Sequence, residues 1–331
     1  MPATIGRREL MAGFGAAAVA WPVTASAQQQ PIPVIGFASG ALKDSERFLA
    51  NVRRGLAELG YVEGQNFRFE LRDANFQNDL IPIRFRELAD QKVSVIITVT
   101  TLQLQSAKAA TQSIPIVFYT GTDPVESGLI ASLNKPGGNI TGAWNLALTL
   151  TGKRFEVLHE LVPSATKFAF LTDPGNQKIN ELQKPLAQTA AHSLGLNLLN
   201  VNAHKPDEFE AVFETSVREG AGGMVLGGDG LFFCPACTQL VALAARYRLP
   251  TIHVDDIAVL AGGLISYGTD QDEPQRLVGN YAGRILKGEK PADMPVQQAI
   301  KTKFMINLKT AKALGITVPT TLLGRVDEVI E

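Results

Sequence analysis

The sequence predicts an α/β protein of two doubly wound parallel-sheet lobes joined by a three-crossover hinge. Three observations predict this class. Short β-branched runs alternate with amphipathic stretches of helical length, the pattern of right-handed βαβ units on a parallel sheet. The order of elements begins again after about 120 residues, with no residue-level repeat. Glycine-rich connectors separate the two series, where a hinge needs residues that absorb large φ/ψ changes. The chain has 331 residues, long for one domain and comfortable for two.

The first thirty residues stand outside that pattern. Arg7 and Arg8 precede a weakly apolar, alanine-rich run that ends in Ala25-Ser26-Ala27. A membrane-spanning helix needs roughly 20 consecutive apolar residues, and this run is shorter. A charged start, a short apolar middle and a small-residue end read as an export signal, residues 1–27, cut after Ala27. Arg7-Arg8-Glu9-Leu10 looks like a twin-arginine signal; an ordinary secretory signal is the alternative. Either route takes the mature chain to the periplasm. No cysteine lies near the cut, so no lipid anchor is expected.

From residue 33 the elements follow in order. Residues 33–38 (PVIGFA) form a short buried strand. Residues 45–59 carry Phe48, Val52, Leu56 and Leu59 on one helical stripe, stopped by Gly60. Residues 66–72 alternate as a strand, and 80–91 return to helical spacing. Residues 93–99 (VSVIITV) and 114–119 (IPIVFY) read as strands buried on both faces, with a helix over 103–111 between them. Gly137-Gly138-Asn139-Ile140-Thr141-Gly142 is the expected first crossover. The second series has helices at 152–161, 179–194, 206–219 and 237–246. Its strands are at 167–172, 196–201, 223–226 and 250–254. Tyr267-Gly268-Thr269 reads as a return crossover, a helix over 274–286 rejoins the first lobe, and the tail from about Ala299 completes the second. The first lobe is therefore expected over 31–142 and 269–297, and the second over 143–268 and 298–331.

Composition narrows the class of function. An apolar fraction of 45% and a charged fraction of 19% belong to a globular chain. A net charge of −1 offers no basic excess for phosphate backbones, which argues against nucleic acid as a partner. No further segment is long and apolar enough for stable membrane insertion. Four histidines, at 159, 192, 204 and 253, have no ligand spacing, so no metal is expected. No G-x-G-x-x-G follows the first strand, no G-x-x-x-x-G-K-[ST] occurs and no G-x-S-x-G elbow is present. No cofactor and no catalytic residue are expected. The two cysteines form Cys234-Pro235-Ala236-Cys237. An exported α/β enzyme or a C-x-x-C redox protein is the rival class, though a small local disulfide or a free pair is the simpler reading.

In open parallel sheets, ligands bind beyond the carboxyl ends of the strands. On the first lobe those positions hold Ser39 and Gly40, then Thr98, Thr100 and Thr101, then Thr120, Gly121, Thr122 and Asp123. On the second they hold Asp173 and Asn176, then Asp229, then Asp255 and Asp256, and Asn145 follows the expected first crossover. Hydroxyls and helix N-termini suit a carboxylate, and an aspartate from the opposite lobe suits an ammonium. The set describes a small zwitterion held in a cleft. The same residue types also cap helices and start turns.

Several blocks carry a resemblance. PVIGF (33–37), ELGYVEGQN (58–66), IPIVF (114–118) with DPV (123–125), SLNKPGGNITG (132–142), GGLISYG (262–268), GRILKGEKPADMPV (283–296) and INLKTAKALGITVP (306–319) look like those of bacterial ABC-transporter substrate-binding proteins of the TrpX-like group. The resemblance covers nearly the whole mature chain. It implies a type I periplasmic-binding-protein fold and a non-catalytic monomer that delivers a small-molecule ligand to ABC permease transmembrane subunits. The group's ligands include aromatic amino acids. Two departures, Asp255-Asp256-Ile257 and Ala143-Trp144-Asn145, fall where ligand contacts are expected, so tryptophan or tyrosine does not carry over as the ligand.

Overall fold

The computed structural model describes residues 32–75, 77–145, 147–232 and 236–331. The expected leader, its cut after Ala27, and Cys234 lie outside them.

The first sheet grows from β1 (Val34–Ser39), whose last five residues are all buried. Helix α1 (Glu46–Ala57) follows, burying Phe48, Leu49, Val52 and Leu56 on the stripe its spacing dictates. The chain turns back through Gly60 at φ 84°, a left-handed position that glycine adopts at no steric cost. Strand β2 (Arg68–Asp73), helix α2 (Ile81–Asp90), strand β3 (Val95–Thr98), helix α3 (Thr101–Ala110), strand β4 (Ile116–Thr120) and strand β5 (Ile140–Asn145) complete the first series.

Helix α4 (Thr151–Leu161) opens the second series. Strand β6 (Lys167–Thr172), helix α5 (Gln177–Ser193), strand β7 (Asn197–Asn202), helix α6 (Phe209–Arg218), strand β8 (Gly223–Leu226), helix α7 (Ala236–Tyr247), strand β9 (Thr251–His253), helix α8 (Ile257–Leu260) and strand β10 (Ile265–Thr269) follow. The chain ends with α9 (Asp272–Leu286), β11 (Gln297–Ala299), β12 (Thr302–Asn307), α10 (Leu308–Leu314), α11 (Thr320–Leu323) and β13 (Glu328–Ile330).

The strands form two sheets, ordered β11-β5-β4-β3-β1-β2 and β13-β12-β10-β9-β8-β6-β7. Every pair is parallel except β10 with β12. Each sheet is covered on both faces. In the first, α1 and α9 bury Phe48, Val52, Val278 and Tyr281 against Ile35, Val95 and Val117. On its other face α2 and α3 bury Phe85, Leu88 and Leu104 against Ile96 and Phe118. In the second, Phe155 and Ala187 cover one face, and Phe209, Phe213 and Leu240 the other. Two doubly wound lobes result, and Pro33–Glu331 forms one compact unit.

The crossings fall later than expected. Gly137 and Gly138 turn the chain at φ 74° and 60°, but residues 140–145 are a strand paired with β4, so the chain leaves the first sheet after Asn145. Gly142 serves close approach: a Cβ there would stand 2.0 Å from the Phe118 carbonyl oxygen. A glycine cluster marks a swivel and a tight backbone contact alike, and the string of letters does not separate them. Residues 267–269 likewise belong to β10, and the chain returns to the first lobe between Thr269 and α9, which packs on α1. The third crossing lies between Ala299 and Thr302.

The crossings are tied to one another. Lys301 Nζ stands 2.8 Å from Asp270 Oδ2. Arg154 of α4, fully buried, donates twice to the Ala147 carbonyl and once to the Tyr267 carbonyl. Burial lowers its pKa to about 10, and carbonyls rather than a carboxylate hold its charge. Cys237, at the start of α7, is buried and disulfide-bonded. Among the described residues no helix is long and apolar enough to cross a membrane.

Candidate functional site

Parallel strands end together, so each lobe presents a row of strand ends. On the first lobe the row is made of hydroxyls and amides. Thr101 Oγ1, at the first turn of α3, lies 2.7 Å from Thr120 Oγ1 and 2.9 Å from Thr122 Oγ1. Next to this triad, Asn145 Nδ2 donates to the Tyr119 hydroxyl, and Asn145 Oδ1 accepts the Ala147 N–H at 2.8 Å. Tyr119 is buried, and burial first, then the charges of Asp270 and Asp255, push its pKa up. The Asp255 charge comes from the second lobe. Thr98 Oγ1, at the end of β3, is buried with no hydrogen-bond partner among the described residues.

On the second lobe the row is acidic. Asp229, in the turn after β8, is 5% exposed. Its Oδ1 accepts the Leu231 N–H at 2.9 Å, while its Oδ2 is buried without a partner among the described residues. Burial raises its pKa to about 6. The Leu231 N–H lowers it, the charge of Asp173 adds to the rise, and the Asn176 side chain pulls it back. Asp255, in the bend after β9, is also raised to about 6, by burial first and then by neighbouring Asp256. Its Oδ1 accepts a long 3.4 Å bond from the Ala258 N–H. Among the described residues neither Asp229 nor Asp255 is in an ion pair, in contrast to Asp256, which is held by Arg47 and Lys303. A small cavity lined by Leu226, Gly227, Phe232, His253, Val254 and Asp255 opens between these strand ends. His253 in its wall is pushed down to about 4 by burial and sits 3.2 Å from Thr251 Oγ1, so it is a neutral core residue at pH 7.

The expected site residues separate into two groups. Thr101, Thr122 and Asn145 share the first-lobe cluster, while Asn176, Asp229 and Asp255 follow strand ends of the second lobe. The rest are occupied locally. Thr100 is the N-cap of α3, accepting the Gln103 N–H at 3.2 Å. Asp123 accepts the Val125 and Glu126 N–H groups at 2.7 and 3.1 Å, a turn rather than a cleft contact. Ser39 Oγ bonds Ala41 and Ser45 within its own turn. A Cβ at Gly40 would meet nothing within 4 Å, so no crowding dictates glycine there. Sequence reasoning missed Tyr119 and Arg47. Tyr119 was legible as the last residue of a strand whose end was already singled out; Arg47 looked like any charge on the polar side of α1.

With this geometry in view, the chain can be set beside known proteins. The family model described as "ABC transporter substrate binding protein" matches residues 25–330. The chain belongs to that family, and the two-lobed fold is that of a solute receptor for an ABC importer. A tyrosine-binding protein of Clostridioides difficile (strain R20291) is 27% identical over 273 residues, which cover 80% of this chain and 75% of that protein. Among solved structures, a conserved domain protein from Vibrio cholerae superposes with a TM-score of 0.81 at 24% identity, covering 90% of this chain and 99% of that one. An ABC domain from Streptococcus pneumoniae in complex with L-Trp superposes with a TM-score of 0.78, again at 24% identity, with the same coverage.

Proposed function

We propose that this receptor binds an amino acid or a similar small carboxylate between the two rows of strand ends. The carboxylate lies on the hydroxyls of Thr101, Thr120 and Thr122 at the N-terminus of α3, where N–H groups and the helix dipole favour an anion. The ammonium lies against Asp229 and Asp255. The observation that carries the reading is the second-lobe pair of buried carboxylates with no salt-bridge partner among the described residues, together with the cluster of hydroxyls and an amide at the strand ends of the first. A buried charge is costly unless it is matched, and a ligand ammonium matches it. The tyrosine-binding relative and the L-Trp-bound structure support an amino acid, and they put aromatic amino acids first in any screen.

Ligand that touches both rows binds the closed form more tightly and shifts the lobes toward it. The closed receptor, a monomer, then docks on the permease. No bond in the ligand is made or broken, so no catalytic residue is assigned. The leader, residues 1–27, directs export to the periplasm; N-terminal sequencing of the mature protein is expected to begin at Gln28, and an intact Met1 would refute that part. A thermal-shift screen of the twenty amino acids and small carboxylates tests the ligand class. One or a few amino acids raise the melting temperature and are recovered unchanged; a screen in which none does so, or in which one is consumed, rejects the reading.

A further inference from the structure

Arg47, on the polar side of α1 in the first lobe, reaches Asp256 of the second lobe through a two-pronged contact. Its Nη1 lies 2.6 Å from Oδ1 and its Nη2 3.1 Å from Oδ2. The residues are 209 apart in sequence, so no local turn brings them together; the lobes do. We propose that Arg47 is a positioning residue that biases the lobes toward the closed arrangement, which ligand then completes, and fixes the Asp255–Asp256 bend, without touching ligand.

Each half of the contact is prepared inside its own lobe. Arg47 Nε also binds Asp272 Oδ1 at 2.9 Å, and Asn51 Nδ2 holds that same oxygen at 2.9 Å while bonding Gln275 Oε1 at 3.0 Å. Asp256 Oδ2 is held by Lys303 Nζ at 2.8 Å, and Lys303 also lies 3.1 Å from Glu328. When the lobes part, Arg47 keeps Asp272 and Asp256 keeps Lys303, so opening leaves neither charge unpaired. That avoids the heavy penalty of a broken buried pair. Both side chains are also pre-oriented, so little rotamer freedom is lost on closing. Asp256 is 7% exposed and Arg47 29%, which shields the fork from full solvent screening. Because Asp256 adjoins Asp255, the same fork sets where the cleft carboxylate stands.

The test needs no ligand, so it is independent of what the receptor carries. Small-angle scattering is recorded on ligand-free wild type, Arg47→Gln and Asp256→Asn, at low and at high salt, with circular dichroism to confirm folding. Arg53→Gln, which removes a pair to Glu63 within the first lobe, is the control. At low salt the wild type and the control have the smaller radius of gyration, and both test variants are expanded. High salt moves the wild type toward the variants and leaves the variants unchanged. Arg47→Gln and Asp256→Asn profiles superimposable on wild type at low salt would overturn the proposal.

Discussion

Asp229 and Asp255 are buried, have no salt-bridge partner among the described residues and are raised to about 6, against an ordinary value of 3.8. Between those two values the folded protein binds more protons than the unfolded chain, so lowering the pH from 7 toward 4 adds stability from these groups, and raising it through 6 removes it. Asp229→Asn with Asp255→Asn should therefore raise the ligand-free stability at pH 7, by on the order of 2 kcal/mol. The gain should disappear near pH 4; urea titrations of both proteins across that range check it, and a gain of equal size at both pH values would contradict the assignment. Replacing either aspartate with alanine should weaken amino-acid binding by roughly ten- to a hundredfold at pH 7, the loss of a charge-assisted bond. At this scale the sequence was informative about residue type and strand-end position. It could not say whether a given Thr or Asp caps its own helix, as Thr100 and Asp123 do, or faces the opposite lobe, because that depends on one side-chain rotation.

Elements with a full hydrophobic period were the most legible. The strands at 167–172 and 223–226 fall where their β-branched and aromatic runs place them, and α1 buries the stripe its spacing marks. Elements without a period escaped: β11 and β13 are three residues each, too short to alternate. Strand β5 escaped for a different reason, since its glycine reads as a swivel. The structure makes that distinction testable. At Gly142 an added Cβ would meet Phe118 backbone on three atoms within 2.8 Å, whereas at Gly138 nothing lies within 4 Å. Gly142→Ala should cost about 3 kcal/mol or more by forcing β5 from β4, and Gly138→Ala only about 1 kcal/mol from its left-handed backbone. Equal losses in chemical denaturation would mean that β5 is not packed against β4 as described.

At the scale of the whole molecule, three crossings join the two sheets and are tied to one another by Arg154 and by Lys301 with Asp270. The two-lobed plan was readable because the series of elements repeats. The contacts between lobes were not, since no local pattern records a pair such as Arg47 and Asp256. In the proposed function a small zwitterion matches the hydroxyls of one lobe and the aspartates of the other. Calorimetric titration tests this most directly, with an amino acid selected by thermal shift titrated into wild type and into Asp229→Ala with Asp255→Ala. The account predicts saturable one-to-one binding to wild type and affinity weaker by a hundredfold or more in the double variant. Equal affinity in the two proteins, or no binding of any amino acid to wild type, would contradict it.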